Sequence, residues 1–254
     1  MWEIYDKLIE GIPEDLPVTS YVSGSNWTAI RSGDRCGTAM TVSGHNAIDK
    51  LPVDLNSATL KETAALAKSW NFRVATIGMA AINAWYNTME NARALGHMDE
   101  KDEHGKNAFD YMVESLAGKK VAMIGHFPNI ERLTEGKAEL SILERAPSGG
   151  DYPDSACEYI LPESDAVIIT GSAFTNKTMP RLLELSKNAM TCVVGPTTPV
   201  SSILFDYGVD LISGFCSSDA EATEKVVCQG IRRGLFRTGT MVNCEVTVHG
   251  LWRR

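Results

Sequence analysis

The chain lacks the patterns from which metal sites, disulfide scaffolds and membrane segments are usually identified. Its six cysteines form no C-x-x-C pair, and its five histidines form no H-E-x-x-H motif. Scattered cysteines argue against a disulfide framework, and the missing ligand spacing argues against a preassembled metal site. No apolar run approaches membrane-spanning length, and no targeting pattern opens the chain. We therefore expect a cytoplasmic protein that has no membrane partner.

Positive charge is also scarce. The chain has 24 Lys and Arg residues against 32 Asp and Glu residues, a formal net charge of −8 at pH 7. Nucleic-acid-binding proteins usually present a basic face, so this balance argues against nucleic acid as a partner. The composition leaves oligomer formation open.

The hydrophobic pattern changes near Gly118. Before it, three strand-like runs joined by tight turns predict an antiparallel meander followed by helices; the runs cover 17–22, 27–31 and 36–42. After it, apolar runs alternate with helical segments, which predicts right-handed βαβ units and a parallel sheet. We predict an α/β fold with an α+β domain at residues 1–117 and a Rossmann-like parallel α/β domain at residues 118–254.

The parallel strands are predicted at 120–124, 139–143, 166–170, 191–194 and 209–213, with an added edge strand within 241–248. Short apolar runs bounded by turn residues are typical of strands buried on both faces. Thr198-Pro199 is expected to begin a helix, because proline is favoured in a first helical turn. The polar segment 87–105 is expected to form an exposed loop.

Three of these strands end in a glycine at a bend, namely Gly125, Gly171 and Gly195. Glycine permits a sharp turn and a close approach of the backbone to a ligand. In open parallel sheets, ligands bind outside the carboxyl ends of the strands. The three bends therefore predict one ligand site.

The first bend does not have the dinucleotide-binding fingerprint. G-x-G-x-x-G would bring several backbone amides onto a pyrophosphate, whereas this chain has Gly125-His126-Phe127-Pro128. The sequence thus argues against NAD binding in the usual mode. Glu144 lies 19 residues after Gly125, where Rossmann-like sheets often present an acid to ribose hydroxyls. The alternative is a surface glutamate paired with Arg145.

His126 is the candidate for acid, base or metal-ligand chemistry, because it follows the first parallel strand directly. A helix N-terminus lowers the pKa of a nearby histidine, so we expect a neutral imidazole. The alternative is a hydrogen-bonded structural histidine in a turn.

Polar residues follow the other strand ends. Thr170-Gly171, Asn176 and Thr178 offer ligand contacts, although the last two also suit helix capping. Gly195-Pro196-Thr197 offers hydroxyl and N–H groups to an anion.

In the first half, Thr41 and Asn83 are candidates. Asn83 lies in an otherwise apolar helical segment, where a buried amide must find partners. It either bonds a neighbouring loop or reaches into a cleft between the domains.

Seven short segments occur in an order that resembles a known family. They are Gly37-Thr38-Ala39-Met40-Thr41, Ala80-Ala81-Ile82-Asn83-Ala84, Ile124-Gly125-His126-Phe127-Pro128, Glu144-Arg145-Ala146-Pro147, Leu161-Pro162 before Asp165, Ile169-Thr170-Gly171 with Asn176 and Thr178, and Gly195-Pro196-Thr197-Thr198-Pro199. This series resembles the bacterial and archaeal "putative heavy-metal chelation" family.

The resemblance implies an enolase N-terminal-like α+β domain, a Rossmann-like domain and a site in the cleft between them. It does not imply the enolase reaction, which belongs to a barrel domain missing here. For function it implies heavy-metal chelation, or condensation or hydrolysis of small molecules related to flavins, pterins or siderophores. The Rossmann-like half is also similar to methyltransferases. Fold analogy alone does not decide among these functions.

The sequence hypothesis is a protein that binds a small polar ligand in the interdomain cleft, either heteroaromatic (flavin- or pterin-like) or metal-chelating (siderophore-like). The predicted ligand-binding residues are Thr41, Asn83, Gly125, His126, Phe127, Glu144, Thr170, Gly171, Asn176, Thr178, Gly195, Pro196 and Thr197. Whether the protein is an enzyme stays open; if it is, His126 is the catalytic candidate.

Two alternatives stand beside this hypothesis. One is a non-catalytic protein that holds a divalent transition metal through His126 with Glu144 or Asp151. The other is a methyltransferase-like enzyme, although the usual glycine-rich first turn is missing.

Overall fold

The computed structural model describes residues 2–42, 51–97, 109, 112–128 and 130–245. These residues contain a three-stranded antiparallel sheet with helices, followed by a seven-stranded, mostly parallel sheet with helices. The predicted α/β fold class is confirmed.

The first half begins with helix α1 (Glu3–Glu10), and the meander strands follow: β1 (Ser20–Ser23), β2 (Trp27–Ser32) and β3 (Arg35–Met40), paired in that order. Its remaining helices are α2 (Leu60–Ala65), α3 (Phe72–Tyr86) and α4 (Met89–Ala94). Thr59 begins α2 with a capping box, in which its hydroxyl accepts from the Glu62 N–H while the Glu62 carboxylate accepts from the Thr59 N–H.

Helix α3 packs unusually close to its neighbours. A Cβ on Gly37 of β3 would lie 1.9 Å from the Ala84 nitrogen, and a Cβ on Gly78 of α3 would lie 1.9 Å from the Ala67 nitrogen. No side chain fits at such distances, so glycine is required at both positions for the backbones to meet.

The second half contains strands β4 (Lys120–Ile124), β5 (Glu139–Glu144), β6 (Tyr152–Pro153), β7 (Ala166–Thr170), β8 (Met190–Val194), β9 (Leu211–Ser217) and β10 (Gly239–Glu245). Their order is β10-β9-β8-β7-β4-β5-β6, and all neighbours are parallel except the antiparallel pair β9–β10. The predicted parallel strands and the added edge strand are thus confirmed, while residues 246–248 lie outside the described part.

The helices of this half are α5 (Ile130–Thr134), α6 (Cys157–Ile160), α7 (Ser172–Thr175), α8 (Met179–Leu185) and α9 (Ala220–Cys228). Short 3₁₀ turns lie at Leu66–Lys68, Val113–Leu116, Asp154–Ala156, Leu161–Glu163, Ser202–Tyr207 and Arg232–Arg237.

Two local predictions are wrong. Thr198-Pro199 begins no helix; Ser201 instead accepts a hydrogen bond from the Ile203 N–H and caps a 3₁₀ turn. The segment 87–105 contains α4 in its described part, where the Thr88 hydroxyl caps the helix by accepting from the Asn91 N–H.

The two halves share one hydrophobic cluster. Tyr5 of α1 packs edge-on against Phe174 of α7 with ring centroids 5.8 Å apart, and its hydroxyl donates to the Phe174 carbonyl at 2.7 Å. Asn87, at the end of α3, donates from its side chain to the carbonyls of Thr198 and Phe215. These buried contacts fix the meander side against the carboxyl edge of the parallel sheet.

Candidate functional site

A cleft of about 740 Å³ opens at the carboxyl ends of β4, β5 and β7. Met40 and Val42, at and after the end of β3, line it from the first half of the chain. The other lining residues come from the second half, and the charged ones are His126, Glu144, Arg145, Asp154, Glu158, Lys177, Arg181 and Arg232. Its volume lies in the range of sites for small organic ligands.

Gly125 directs the chain out of the sheet after β4. Its φ is +98°, a backbone angle that residues with a Cβ rarely adopt, and its N–H donates to the Leu143 carbonyl at 2.9 Å. This turn brings His126 and Phe127 to the cleft.

His126 is held by carboxylates at both ring nitrogens. Nδ1 lies 3.0 Å from an Asp151 carboxylate oxygen, and Nε2 lies 2.8 Å from an oxygen of Glu131. The hydrogen bond with Asp151 is the largest cause that raises the pKa of His126, and Glu131 adds to it. We expected a helix N-terminus to lower the pKa of His126 and keep the imidazole neutral. That expectation is wrong, because the two carboxylates raise the pKa and favour the imidazolium.

Asp151 is the fixed partner of this pair, because only 3% of its side chain is exposed whereas Glu131 is 56% exposed. Desolvation by burial acts to raise the pKa of Asp151, but hydrogen bonds from His126 and from the Ser148 N–H outweigh it and lower that pKa. Asp151 thus orients the ring, and Nε2 faces the partner that moves more easily.

Glu144 accepts backbone hydrogen bonds with both carboxylate oxygens. One oxygen receives the His126 N–H at 2.8 Å, and the other receives the Arg145 N–H at 3.0 Å. It lines the cleft and also fixes the loop that carries His126. The predicted alternative was a surface glutamate paired with Arg145. Glu144 does bond to the Arg145 N–H, while the Arg145 guanidinium lies over the Phe72 ring and 3.7 Å from Asp154.

Polar groups after β7 line the same cleft. The hydroxyls of Thr170 and Ser172 lie 3.4 Å apart. The Asn176 amide oxygen accepts from the N–H and the hydroxyl of Thr178 at 3.1 and 2.7 Å. The Asn176 amide nitrogen has no partner among the described residues and is available to a ligand.

Lys177 is a cleft residue that sequence reasoning missed. It is 7% exposed, has φ +71° and donates from Nζ to the Thr175 carbonyl at 2.8 Å. Burial lowers its pKa to about 8. Its place between Asn176 and Thr178 was a weak indication, but a lysine in a sequence gives no sign of being buried.

The charges of the cleft are unequally paired. Arg181 forms a bidentate ion pair with Glu158 at 2.9 and 2.6 Å. Lys177 and Arg232 have no carboxylate oxygen within 4.0 Å among the residues that the structure describes. The cleft therefore carries positive charge that its own acids do not pair directly.

The other predicted residues lie outside the cleft lining: Thr41, Asn83, Gly171, Gly195, Pro196 and Thr197. Two contacts in this set, Asn83 with Pro196 and Thr197 with Met40, join the halves of the chain. The Asn83 amide donates to the carbonyls of Thr38 and Pro196 at 2.8 and 3.2 Å, and the Thr197 hydroxyl accepts from the Met40 N–H at 2.8 Å. The Thr41 hydroxyl pairs with that of Thr28 at 3.0 Å.

The two glycines in this set have steric roles. A Cβ on Gly171 would lie 2.5 Å from the Thr198 hydroxyl oxygen, whereas Gly195 has φ +115° and donates to the Ser213 carbonyl. Gly171 thus allows a close approach of the Thr197-Thr198 backbone, and Gly195 allows the turn after β8.

A metal held directly by side chains does not fit the described residues. They include no group of three or more His, Cys, Asp or Glu side chains placed to hold a metal ion. Both nitrogens of His126 already meet carboxylates. Burial raises the pKa of Cys157, which disfavours the thiolate that a metal would need.

Two family models match the chain, one over residues 5–86 (DUF4213) and one over residues 107–244 (DUF364). Both are described as "Putative heavy-metal chelation". The chain belongs to this family, as its motifs indicated.

Solved structures and a curated relative agree with this assignment. The chain is 40% identical to a DUF364-family protein of unknown function from Desulfitobacterium hafniense, with a TM-score of 0.89 over 96% of this chain and 98% of that one. A Pyrococcus horikoshii member shares the fold, with 24% identity and a TM-score of 0.79 over 96% and 98% of the two chains. An uncharacterised Methanocaldococcus jannaschii protein is 32% identical over 66% of this chain, and the match spans 64% of that relative's length.

Helices long and apolar enough to cross a membrane are missing from the described part of the chain.

Proposed function

We propose that the protein binds a small polar organic ligand, flavin-, pterin- or siderophore-like, in the cleft beside His126. Its part in heavy-metal chelation would then run through a ligand that chelates the metal. One observation carries this proposal. The cleft contains both a histidine held by carboxylates and an apolar wall that includes Met40, Val42 and Phe127. An apolar wall with a few placed polar groups is the usual composition of a small-molecule site.

His126 is suited to donate a proton if the ligand is also transformed. Asp151 holds Nδ1, so Nε2 is the nitrogen that would meet a ligand after displacing the exposed carboxylate of Glu131. An imidazolium in this position would protonate a leaving group during condensation or hydrolysis. Thr170 and Asn176, which line the same cleft, would hold polar atoms of the ligand.

The alternatives have less support. A non-catalytic transition-metal site on His126 with Glu144 or Asp151 would break hydrogen bonds at every one of these groups. A methyltransferase-like activity would require a glycine-rich first turn, which Gly125-His126-Phe127-Pro128 does not provide.

Ligand-observed NMR with a defined panel tests the proposal. The panel is flavin mononucleotide, pterin-6-carboxylate, 2,3-dihydroxybenzoate and the gallium complex of the last, with Ni²⁺ and Ga³⁺ alone as metal probes. We expect at least one organic compound or its complex to bind saturably. The affinity should fall at least about tenfold in His126→Ala and stay unchanged in His97→Ala, a histidine outside the cleft.

Two outcomes would contradict the proposal. Binding that is equal in wild type and His126→Ala would place the site elsewhere. Tight binding of a metal ion alone, lost in His126→Ala, would support the metal-holding alternative.

A further inference from the structure

Lys177 is a buried cation that lacks a counter-ion among the described residues. Its side chain lies under Tyr5, with Nζ 5.7 Å from the ring centroid, and Nζ donates a hydrogen bond to the neutral Thr175 carbonyl. A buried ammonium without an acid is costly, so such groups either lose their proton or receive a charged partner. Lys177 is one of the residues that line the cleft, where a ligand can supply that partner.

The neighbours of Lys177 add donors at the same place. Asn176 is oriented by two hydrogen bonds from Thr178 to its amide oxygen, which leaves the amide nitrogen without a protein partner in the described part. The hydroxyl of Ser172, also buried, lies on the same side of the cleft lining as Thr170. Donors in excess of acceptors are the arrangement that an oxyanion requires.

The backbone at Lys177 also indicates a constrained position. Lys177 has a φ of +71°, and every other described residue with positive φ is a glycine. Unfavourable backbone conformations of this kind persist where surrounding structure holds a side chain in place, and they occur often in ligand sites. Here the strained residue carries a charge for which the described residues offer no carboxylate partner.

We infer that Lys177 binds the anionic end of the ligand, a carboxylate or phosphate group, with the Asn176 amide as a second donor. Arg232 also lines the cleft and has no carboxylate oxygen within 4.0 Å in the described part of the chain, so it supplies further positive potential. This rests on the proposed function and narrows its ligand to a small organic acid or phosphate ester. The apolar wall and His126 then contact the rest of the molecule.

Amide-resolved NMR titrations at pH 7.0 test the inference. The probes are sodium phosphate and sodium citrate, with sodium chloride at matched ionic strength. The proteins are the wild type, Lys177→Met, and Lys187→Met as a control for an exposed lysine. We expect one probe to shift the amides of residues 176–178 saturably, at least about tenfold more weakly in Lys177→Met and equally in Lys187→Met.

A response to phosphate alone identifies a phosphate end, and a response to citrate alone identifies a carboxylate end. The inference is overturned if neither probe shifts these amides in the wild type, or if Lys177→Met binds as tightly as the wild type. Thermal unfolding of Lys177→Met should show a midpoint at or above that of the wild type, because a buried charge is removed. A lower midpoint would indicate that the lysine is needed for the fold and would also contradict the inference.

The outcomes separate this inference from the proposed function. If a panel compound binds with dependence on His126 but not on Lys177, the cleft assignment stands and the anion inference fails. If phosphate or citrate binds at residues 176–178 while no panel compound binds, the anion site stands and the proposed ligand class fails.

Discussion

Asn87 allows a sharp test of how the two halves of the chain are joined. Its side chain is 3% exposed; it donates to the carbonyls of Thr198 and Phe215 at 3.0 and 3.1 Å and accepts from the Val200 N–H at 2.8 Å. Asn87→Ala leaves three buried backbone groups short of a partner. At about 1 kcal/mol for each such group, the free energy of unfolding should fall by about 3 kcal/mol.

Urea unfolding followed by circular dichroism measures this loss. The midpoint should fall while the slope of free energy against urea stays the same, since the native state remains intact. The matched control is Asn56→Ala, whose exposed amide bonds to the nearby Asp54 and whose removal should cost less than about 0.5 kcal/mol. A loss below about 1 kcal/mol in Asn87→Ala would refute the view that this amide fixes the halves.

Two further changes test packing and electrostatics. Gly37→Ala forces a Cβ to 1.9 Å from the Ala84 nitrogen and should lower the free energy of unfolding in urea by about 3 kcal/mol or more. The control Gly150→Ala places its Cβ in open space and should leave that free energy unchanged. Equal effects of the two substitutions would contradict the close packing. Asp151→Asn should lower the pKa of His126 in an NMR titration of its ring protons, because the main cause of the raised pKa is removed; an unchanged pKa would contradict that cause. Protonated His126 contributes stability that is complete below about pH 6.5, the ordinary pKa of histidine, and that is lost as pH rises through the higher folded-state pKa. If the free energy of unfolding of the wild type did not decrease with pH in this range, the paired imidazolium would be contradicted.

The parallel sheet was predictable because its strands are short apolar runs with turns at their ends. Val167-Ile168-Ile169 and Cys192-Val193-Val194 are buried on both faces, so hydrophobicity alone marks them. Local helix starts were less predictable. The Thr198-Pro199 segment is held by hydrogen bonds to Asn87, a residue more than a hundred positions away, and no local pattern reveals that. The domain boundary at residues 117 and 118 stays a prediction.

The candidate site was predictable in place but not in chemistry. Strand ends of one parallel sheet meet at one edge, which brings Gly125, Thr170 and Asn176 to one cleft. The charge state of His126 depends on Asp151, 25 positions away in a loop, and a sequence does not reveal that contact. Lys177 is buried by Tyr5, which is far away in the sequence, and its burial follows only from the tertiary structure.

Asn83 illustrates the same limit. An amide within an apolar helix must find partners, and the structure gives it the backbone carbonyls of Thr38 and Pro196. The sequence allowed two outcomes, a bond to a neighbouring loop or a place in the cleft, and the bond to Pro196 is the first of them. Through it, Asn83 connects the two halves of the chain. The role of the predicted residues outside the cleft lining in ligand binding stays a prediction.

The most direct test of the central claim is amide shift mapping with the organic panel compound that binds most tightly. If the cleft is the site, the largest shifts fall on residues 125–127 and 176–178 together, because both segments line the same cleft. Shifts concentrated elsewhere on the described surface, such as around the exposed Trp70, would contradict the account.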